Sequence, residues 1–258
     1  KKEKEMNTNK STTGIDPKGK LSFRKIAIIA GALFIIADVA GFTGDALIPA
    51  LTGADYLIQL SAHADLVAAG ALAKIVSTFA SVGIAIAMYP VMKRANAGLA
   101  LGSVVFRTLE AAFYMVGVVS LLALLKLSQQ FAAAGVADHA SLQAIGDSLV
   151  SVRLWAASLL GVFAFCVGSF MYNYLFFQSR LIPRWLSGFG IAAITSLTIA
   201  CVLSLFSGNR ITSYIPLAFP IFVQELVLAV WLIVKGFNPS VSVTKSGKME
   251  TKELLSAA

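Results

Sequence analysis

Six long apolar segments, separated by short polar loops, dominate this chain of 258 residues. Their apolar residues occupy consecutive positions, which favours helices over the alternating strands of a membrane barrel. About 20 helical residues cross a hydrocarbon core of about 30 Å, and a helix satisfies its own backbone hydrogen bonds in lipid. We therefore predict an all-α, polytopic membrane bundle of six transmembrane helices, with spans at Lys25–Gly44, Leu66–Val91, Ala97–Leu125, Leu149–Phe177, Ser187–Phe206 and Ile215–Val234.

The basic residues are divided unequally between the two ends of this predicted bundle. Sixteen of the 21 Lys and Arg residues fall in the two tails and in the second-to-third and fourth-to-fifth loops, whereas only Lys126 and Arg210 fall at the opposite end. Because cytoplasmic loops are enriched in Lys and Arg, both termini are predicted to be cytoplasmic. Residues 1–24 and 238–258 are predicted to be disordered cytoplasmic tails around a transmembrane domain of residues 25–237.

An alternative interpretation of the first span is a cleaved signal peptide. Lys and Arg precede the apolar run Ile26–Ala37, whose length suits a signal peptide. Cleavage would leave five spans and an external N-terminus. The run continues past Asp38 without a small-residue cleavage site, which favours a retained first span.

Composition and motifs also limit the classes of partner and chemistry. The net charge of +8 follows from the membrane topology, so we expect the lipid bilayer as a partner and no nucleic acid. No catalytic motif is present, and we expect no catalytic residue, cofactor or metal site; His63 and His139 lack the spacing of metal ligands. Cys166 and Cys201 are expected at different depths in the membrane, as unpaired packing residues.

Six charged residues lie inside the predicted spans, in the half nearer the outer face. Each costs roughly 2.5–3.5 kcal/mol to insert into a bilayer, so all should face the bundle interior. Helical spacing supports this, because the polar residues follow stripes along three spans. The candidate intramembrane polar site is Asp38, Lys74, Arg107, Glu110, Arg153 and Glu225, and the stripes are Asp38–Gly41–Asp45, Lys74–Thr78–Ser81 and Ser103–Arg107–Glu110–Tyr114.

Three interpretations of these charges remain open. In the first, three acids and three bases balance to zero in a structural ion-pair network, with Arg107 paired to Glu110 and Asp38 to Lys74, in a ligand-binding or scaffolding bundle. In the second, they line a polar cavity, open to the outside, that binds a small polar or amphiphilic ligand. In the third, Glu225 lacks a full partner and carries a proton, as in a small proton-coupled transporter.

Four stretches of the sequence carry a family resemblance. They are Met88–Arg94 (MYPVMKR), Leu99–Phe113 (LALGSVVFRTLEAAF), Ser179–Gly190 (SRLIPRWLSGFG) and Gln224–Phe237 (QELVLAVWLIVKGF). With these, the chain from Lys25 to Phe237 resembles the bacterial membrane family called domain of unknown function 4386. The resemblance implies a multi-pass protein of the bacterial cytoplasmic membrane with no assigned activity, and it assigns no role to any residue.

Overall fold

The computed structural model describes residues 22–238, so the two predicted tails lie almost entirely outside the described residues. Within this range the chain is helical and contains no strand. Eight α-helices follow one another: α1 Phe23–Leu47, α2 Tyr56–Ala62, α3 Ala64–Met92, α4 Ala97–Ala133, α5 His139–Arg153, α6 Val162–Ser179, α7 Arg184–Ser207 and α8 Ile215–Val234. A π-helical segment, Leu154–Gly161, joins α5 to α6 without a break, and short 3₁₀ turns, Val136–Asp138 and Ile211–Tyr214, precede α5 and α8.

The helix ends follow from local chemistry. The side chain of Ser22 accepts a hydrogen bond from the Lys25 backbone N–H and so caps α1, and the Asn96 side chain accepts from Leu99 N–H at 3.0 Å at the start of α4. Helix α7 ends at Gly208, which has a φ of 70°. Glycine adopts this left-handed conformation without steric cost, so the chain can turn there towards α8.

Within residues 22–238, six helical rods are long and apolar enough to cross a membrane, which agrees with the predicted number of spans. They are Phe23–Leu47, Ala64–Met92, Ala97–Ala133, His139–Ser179, Arg184–Ser207 and Ile211–Val234. The third and fourth predicted spans are too short: α4 continues beyond Leu125 to Ala133, and helix begins again at His139. The bundle has two ends that differ in topology: the terminal end, where α1 begins and α8 ends, and the opposite mouth end.

The extensions of α4 and α5 are stabilised by α2, which the sequence analysis treated as loop. Tyr56, Leu57 and Leu60 of α2 are buried in one apolar cluster with Leu127 of α4 and Val150 of α5. The Tyr56 hydroxyl also donates a hydrogen bond to the Asp147 carboxylate at 3.0 Å. Burial, and then this carboxylate, raise the pKa of the Tyr56 hydroxyl, so it stays protonated as the donor. Helix α2 is therefore fixed across the mouth end.

The six rods form a ring in which each rod packs on the next in sequence and the last returns to the first. The contacts run α1–α3–α4–α6–α7–α8 and close through α8 against α1. At this closure the backbones of α1 and α8 approach each other closely. A Cβ atom added at Gly31 would lie only 2.7 Å from the carbonyl oxygen of Ala229, so a larger residue would not fit there. A ring of six rods leaves a central space, which is filled differently at its two ends.

At the terminal end the centre of the ring is filled by apolar side chains. Phe34, Met88, Tyr172, Phe176 and Leu232, from four different rods, are all buried to 1% exposure or less in one cluster. This cluster closes the ring on that side. Towards the mouth end the packing leaves an open cavity, and this cavity contains the candidate site.

Candidate functional site

A cavity of about 400 Å³ occupies the centre of the ring and is lined by residues from all six rods. All six charged residues of the sequence-predicted site line it: Asp38, Lys74, Arg107, Glu110, Arg153 and Glu225. The three predicted polar stripes face it as well, since Gly41, Asp45, Thr78, Ser81 and Tyr114 are among its lining residues. Ser103 is the exception: it is fully buried and does not line the cavity.

The cavity contains one more acid than the sequence analysis assigned to the membrane interior. Asp45 ends the predicted polar stripe of the first span, one residue beyond the predicted end of that span, but α1 extends to Leu47 and carries Asp45 into the cavity on the same face as Asp38. Four carboxylates (Asp38, Asp45, Glu110, Glu225) therefore face three bases (Lys74, Arg107, Arg153), and 3 − 4 gives a formal charge of −1. The predicted balance to zero is wrong for the cavity as a whole.

At the mouth end of the cavity, Lys74 forms an ion pair with Asp45 at 2.5 Å. Asp45 is 64% exposed and Lys74 is 23% exposed, so this side of the cavity is open. Arg153 also lines the cavity here and donates to the carbonyl oxygen of Gly117 at 2.9 Å. The guanidinium thus bonds to the neighbouring helix α4 and faces the bundle interior.

The predicted pair between Asp38 and Lys74 is wrong, because α1 and α3 pack in a different register. The Ser77 hydroxyl donates to the carbonyl oxygen of Ala37 at 2.7 Å, which places Asp38 level with Ser77 rather than Lys74. A Cβ added at Gly44 would lie 3.0 Å from Lys74 Cγ, so Lys74 lies level with the last turn of α1 and meets Asp45.

Deeper in the cavity, the predicted pair between Arg107 and Glu110 is confirmed at 3.2 Å. Both side chains are almost fully buried, at 3% and 2% exposure. Ser81 links them, since Arg107 Nη2 donates to its oxygen at 2.6 Å and its hydroxyl donates to Glu110 Oε1 at 3.2 Å. The guanidinium carbon also lies 4.9 Å from the centre of the Phe165 ring, within the range of a cation–π contact.

These buried charges keep hydrogen-bonding capacity that the described residues do not use. Arg107 Nε and Asp38 Oδ2 are buried atoms without a hydrogen bond or ion pair to any residue in the range 22–238, whereas Arg107 Nη1 and Glu110 Oε2 have only their mutual ion pair. Buried polar atoms are normally hydrogen-bonded, and a guanidinium has five N–H donors. The arrangement can therefore accept a polar ligand without breaking an existing bond.

Glu225 forms the floor of the cavity. It is 8% exposed and accepts a hydrogen bond from the Tyr172 hydroxyl at 3.4 Å, and within residues 22–238 it has no ion pair closer than 4.0 Å. Its neighbour Gln224 donates to Asn173 at 3.3 Å, and Asn173 donates to the Ser169 carbonyl oxygen at 3.0 Å. Tyr172 also belongs to the apolar cluster at the terminal end, so Glu225 lies at the boundary between the open cavity and the closed core.

The sequence matches the family model named "Domain of unknown function (DUF4386)" over residues 29–236. The chain belongs to the DUF4386 family. The match covers nearly all of the six-rod ring, and so confirms the resemblance seen in the four sequence stretches. No curated protein and no solved structure matches the chain.

The charges of this DUF4386 protein are divided by depth. The inner part of its cavity contains Asp38, Glu110 and Glu225 around Arg107 alone, and the field of Arg107 acts on all three carboxylates. The mouth contains Asp45 with Lys74 and Arg153. The formal charge is therefore −2 in the inner part and +1 at the mouth.

Asp38 and Glu225 face one another across the junction of α1 and α8. The rings of Phe42 on α1 and Phe222 on α8 meet edge to face, with their centres 4.8 Å apart. Asp38 lies one turn from Phe42 and Glu225 lies one turn from Phe222, both towards the terminal end. Residues three or four apart share a helix face, so the two carboxylates approach the cavity from adjacent walls.

Other predicted features of the DUF4386 chain have mixed outcomes. Among residues 22–238, no group of three His, Cys, Asp or Glu side chains is arranged to hold a metal ion. Cys166 and Cys201 are unpaired thiols, but the expectation of different depths is wrong. Packing of α6 on α7 places both thiols inside one apolar cluster.

Several functional features of the site were missed from the sequence. Tyr172, Asn173 and Gln224 were read as parts of apolar spans, although Ser169 and Asn173 share an i, i+4 face that could have indicated a buried polar side. The π-helical segment Leu154–Gly161 contributes Ala157 and Ser158 to the cavity wall. Such segments are frequent at functional sites, but no residue pattern in the sequence indicated it.

Proposed function

We propose that this protein binds a small amphiphilic organic cation in its central cavity. We further propose that it lies in the bacterial cytoplasmic membrane, with both termini inside and the mouth of the cavity outside. The orientation is supported by the sixteen basic residues assigned to the terminal end against two at the mouth end. The ligand would enter from the outer side, past Asp45 and Lys74.

The observation that carries this proposal is the ratio of three carboxylates to one guanidinium in the inner part of the cavity. Uncompensated charge is costly in the middle of a membrane protein, and a cation at this position offsets it. Asp38 and Glu225 are the acceptors, because neither makes an ion pair within residues 22–238. An anionic ligand would instead meet two uncompensated carboxylates.

The rest of the lining selects the body of the ligand. Phe34, Phe42, Ile84, Phe165 and Ile221 line the cavity beside the charges and supply an apolar wall. A cavity of about 400 Å³ lies at the lower end of the range for ligand pockets, which is about 300–1,000 Å³. These features favour a ligand with one cationic head and a short hydrocarbon body.

A purely structural network explains less of the geometry. It accounts for Lys74 with Asp45 and for Arg107 with Glu110. It leaves Asp38 and Glu225 without an ion-pair partner in the described part of the chain, and it leaves the buried Nε of Arg107 without a hydrogen bond there. Scaffolding therefore remains the weaker interpretation of the same residues.

The proposal is tested by comparing three probes of equal length on the purified protein in phosphatidylcholine nanodiscs. Hexylammonium, hexanol and hexanoate each have six carbons and carry a cationic, a neutral and an anionic head group, respectively, and empty nanodiscs correct for partitioning into lipid. A charge-assisted hydrogen bond contributes about 1.5–3 kcal/mol, so calorimetry should give hexylammonium an affinity about 10- to 150-fold higher than hexanol. Equal affinities, or tighter binding of hexanoate, would overturn the cation assignment.

A second candidate function, proton-coupled transport, is favoured by the surroundings of Glu225. This carboxylate accepts a hydrogen bond from Tyr172, whose ring belongs to the apolar cluster at the terminal end, so it lies at the junction of the open cavity and the closed core. A carboxylate at such a junction can exchange a proton between a solute site and the far side. Transport requires that the apolar cluster around Phe34 opens during the cycle.

A further inference from the structure

A second cavity, of about 600 Å³, lies at the terminal end of the bundle, away from the central cavity. Its walls come from the turn between α6 and α7 and from the end of α8. The turn and the chain after α8 are joined by a hydrogen bond from Asn238 N–H to the Leu181 carbonyl oxygen at 2.8 Å. The two walls are therefore held together as one pocket.

Three bases surround this pocket: Arg180, Arg184 and Lys235. No carboxylate lines it, because all eight acids of residues 22–238 lie in the central cavity or at the mouth end. Arg180 and Lys235 make no ion pair in the described part of the chain, and Arg184 lies over the Phe177 ring at 5.4 Å. The pocket is thus strongly basic.

Other bases at the same end are used differently. Arg24 donates to the carbonyl oxygens of Leu232 and Ile233, at 3.4 Å and 2.6 Å, and so completes the end of α8. Lys93 and Arg94 lie over the rings of Tyr89 and Phe23. Membrane topology accounts for basic residues at this end, but it does not require three of them to converge on one pocket.

The backbone of Arg180 is a further observation in favour of a ligand. Arg180 ends α6 with a φ of 58°, and its N–H bonds to the Phe176 carbonyl oxygen at 2.9 Å. Glycine usually occupies this left-handed position, since a side chain there is strained. Strained residues persist where their side chains serve a function, and the Arg180 side chain faces the pocket.

Two tryptophans beside the pocket indicate that it lies at the depth of the lipid headgroups. Trp231 lines it, and its ring meets that of Trp185 edge to face, with centres 6.3 Å apart. Trp185 is 60% exposed at the start of α7, and tryptophan concentrates where hydrocarbon meets headgroups. The buried side chains of Leu181 and Phe237 add an apolar surface beside the bases.

We propose that this pocket binds the phosphate group of an anionic phospholipid, with Arg180, Arg184 and Lys235 as its ligands. The three cations match a phosphodiester, and the apolar floor continues towards the acyl chains. This site is independent of the central cavity and of the proposed cation.

The test measures lipid binding to the delipidated protein in detergent. Phosphatidylglycerol should raise the melting temperature, whereas phosphatidylcholine, inorganic phosphate and glycerol phosphate should not. Replacing Arg180, Arg184 and Lys235 by Gln should weaken phosphatidylglycerol binding by about fivefold for each base removed. The matched control is Lys93→Gln with Arg94→Gln, which removes two bases from the same end and should leave the binding unchanged.

Each alternative outcome overturns the proposal. If the Lys93/Arg94 control variant loses as much phosphatidylglycerol binding, the basic residues of this end act only through a general attraction to anionic lipid surfaces. Protection by inorganic phosphate as strong as that by phosphatidylglycerol would identify a soluble ligand. If the triple variant does not fold, Arg180→Gly replaces it: this change removes the strained side chain and should give a folded protein with weaker lipid binding. Unchanged binding in Arg180→Gly would also contradict the proposal.

Discussion

Arg107→Met should lower the free energy of unfolding by about 3–5 kcal/mol, the usual cost of removing one partner from a buried ion pair. Methionine keeps most of the volume but leaves Glu110 without its cation, and Asp38 and Glu225 without the compensating field of Arg107. Ser81 also loses the donor at 2.6 Å. Unfolding by denaturant in mixed micelles, followed by tryptophan fluorescence, measures the change.

A double-variant cycle separates the pair from simple loss of packing. Adding Glu110→Gln to Arg107→Met removes the orphaned carboxylate, so the double variant should be more stable than Arg107→Met alone. Thr108→Val, on the exposed side of α4, is the matched control, and its free energy of unfolding should stay near that of the wild type. If the free energy of unfolding of Arg107→Met lies within about 1 kcal/mol of the wild-type value, the guanidinium does not hold the inner cavity together.

Glu225→Gln should abolish most cation binding while the protein remains folded. Glutamine keeps the shape and can still accept the hydrogen bond from Tyr172, but it removes one of the two carboxylates proposed to contact the cationic head. The loss of a charge-assisted hydrogen bond should reduce hexylammonium affinity by about 10- to 150-fold. Stability should not fall, because a buried charge without an ion-pair partner is removed.

The same variant distinguishes binding from transport. In proteoliposomes, a transporter that uses Glu225 loses solute-dependent proton movement in the Gln variant, whereas a binding protein shows none in either form. Asp65→Asn, at the start of α3 and outside the cavity, is the control for charge removal. A Glu225→Gln protein that binds hexylammonium normally but melts at a lower temperature would assign this residue a structural role.

The sequence was sufficient to predict the number of spans and to predict which charged residues meet inside the bundle. Runs of consecutive apolar residues define spanning helices, and the cost of charge in lipid forces such residues inwards. Asp38, Lys74, Arg107, Glu110, Arg153 and Glu225 therefore line one cavity. The pair Arg107–Glu110 was also predictable, because residues three apart are neighbours on one helix.

The remaining features depend on how the helices pack against one another. The register of α1 on α3 is set by the close approach of Gly44 and Gly70, and this contact, rather than estimated depth, pairs Lys74 with Asp45. Helix α2 is stable only against α4 and α5, so its seven residues carried no sufficient local signal. The hydrogen bond from Tyr172 to Glu225 joins α6 and α8, which lie far apart in sequence.

The central claim, an open cavity that favours cations, is tested most directly by charge-selective labelling at Ser77, which lines the cavity. In a Cys166→Ala/Cys201→Ala background, Ser77→Cys should react faster with cationic aminoethyl methanethiosulfonate than with anionic sulfonatoethyl methanethiosulfonate, and hexylammonium should slow the reaction. Rates are measured on intact cells, where the reagents arrive from outside. No labelling, or faster labelling by the anionic reagent, would contradict the account.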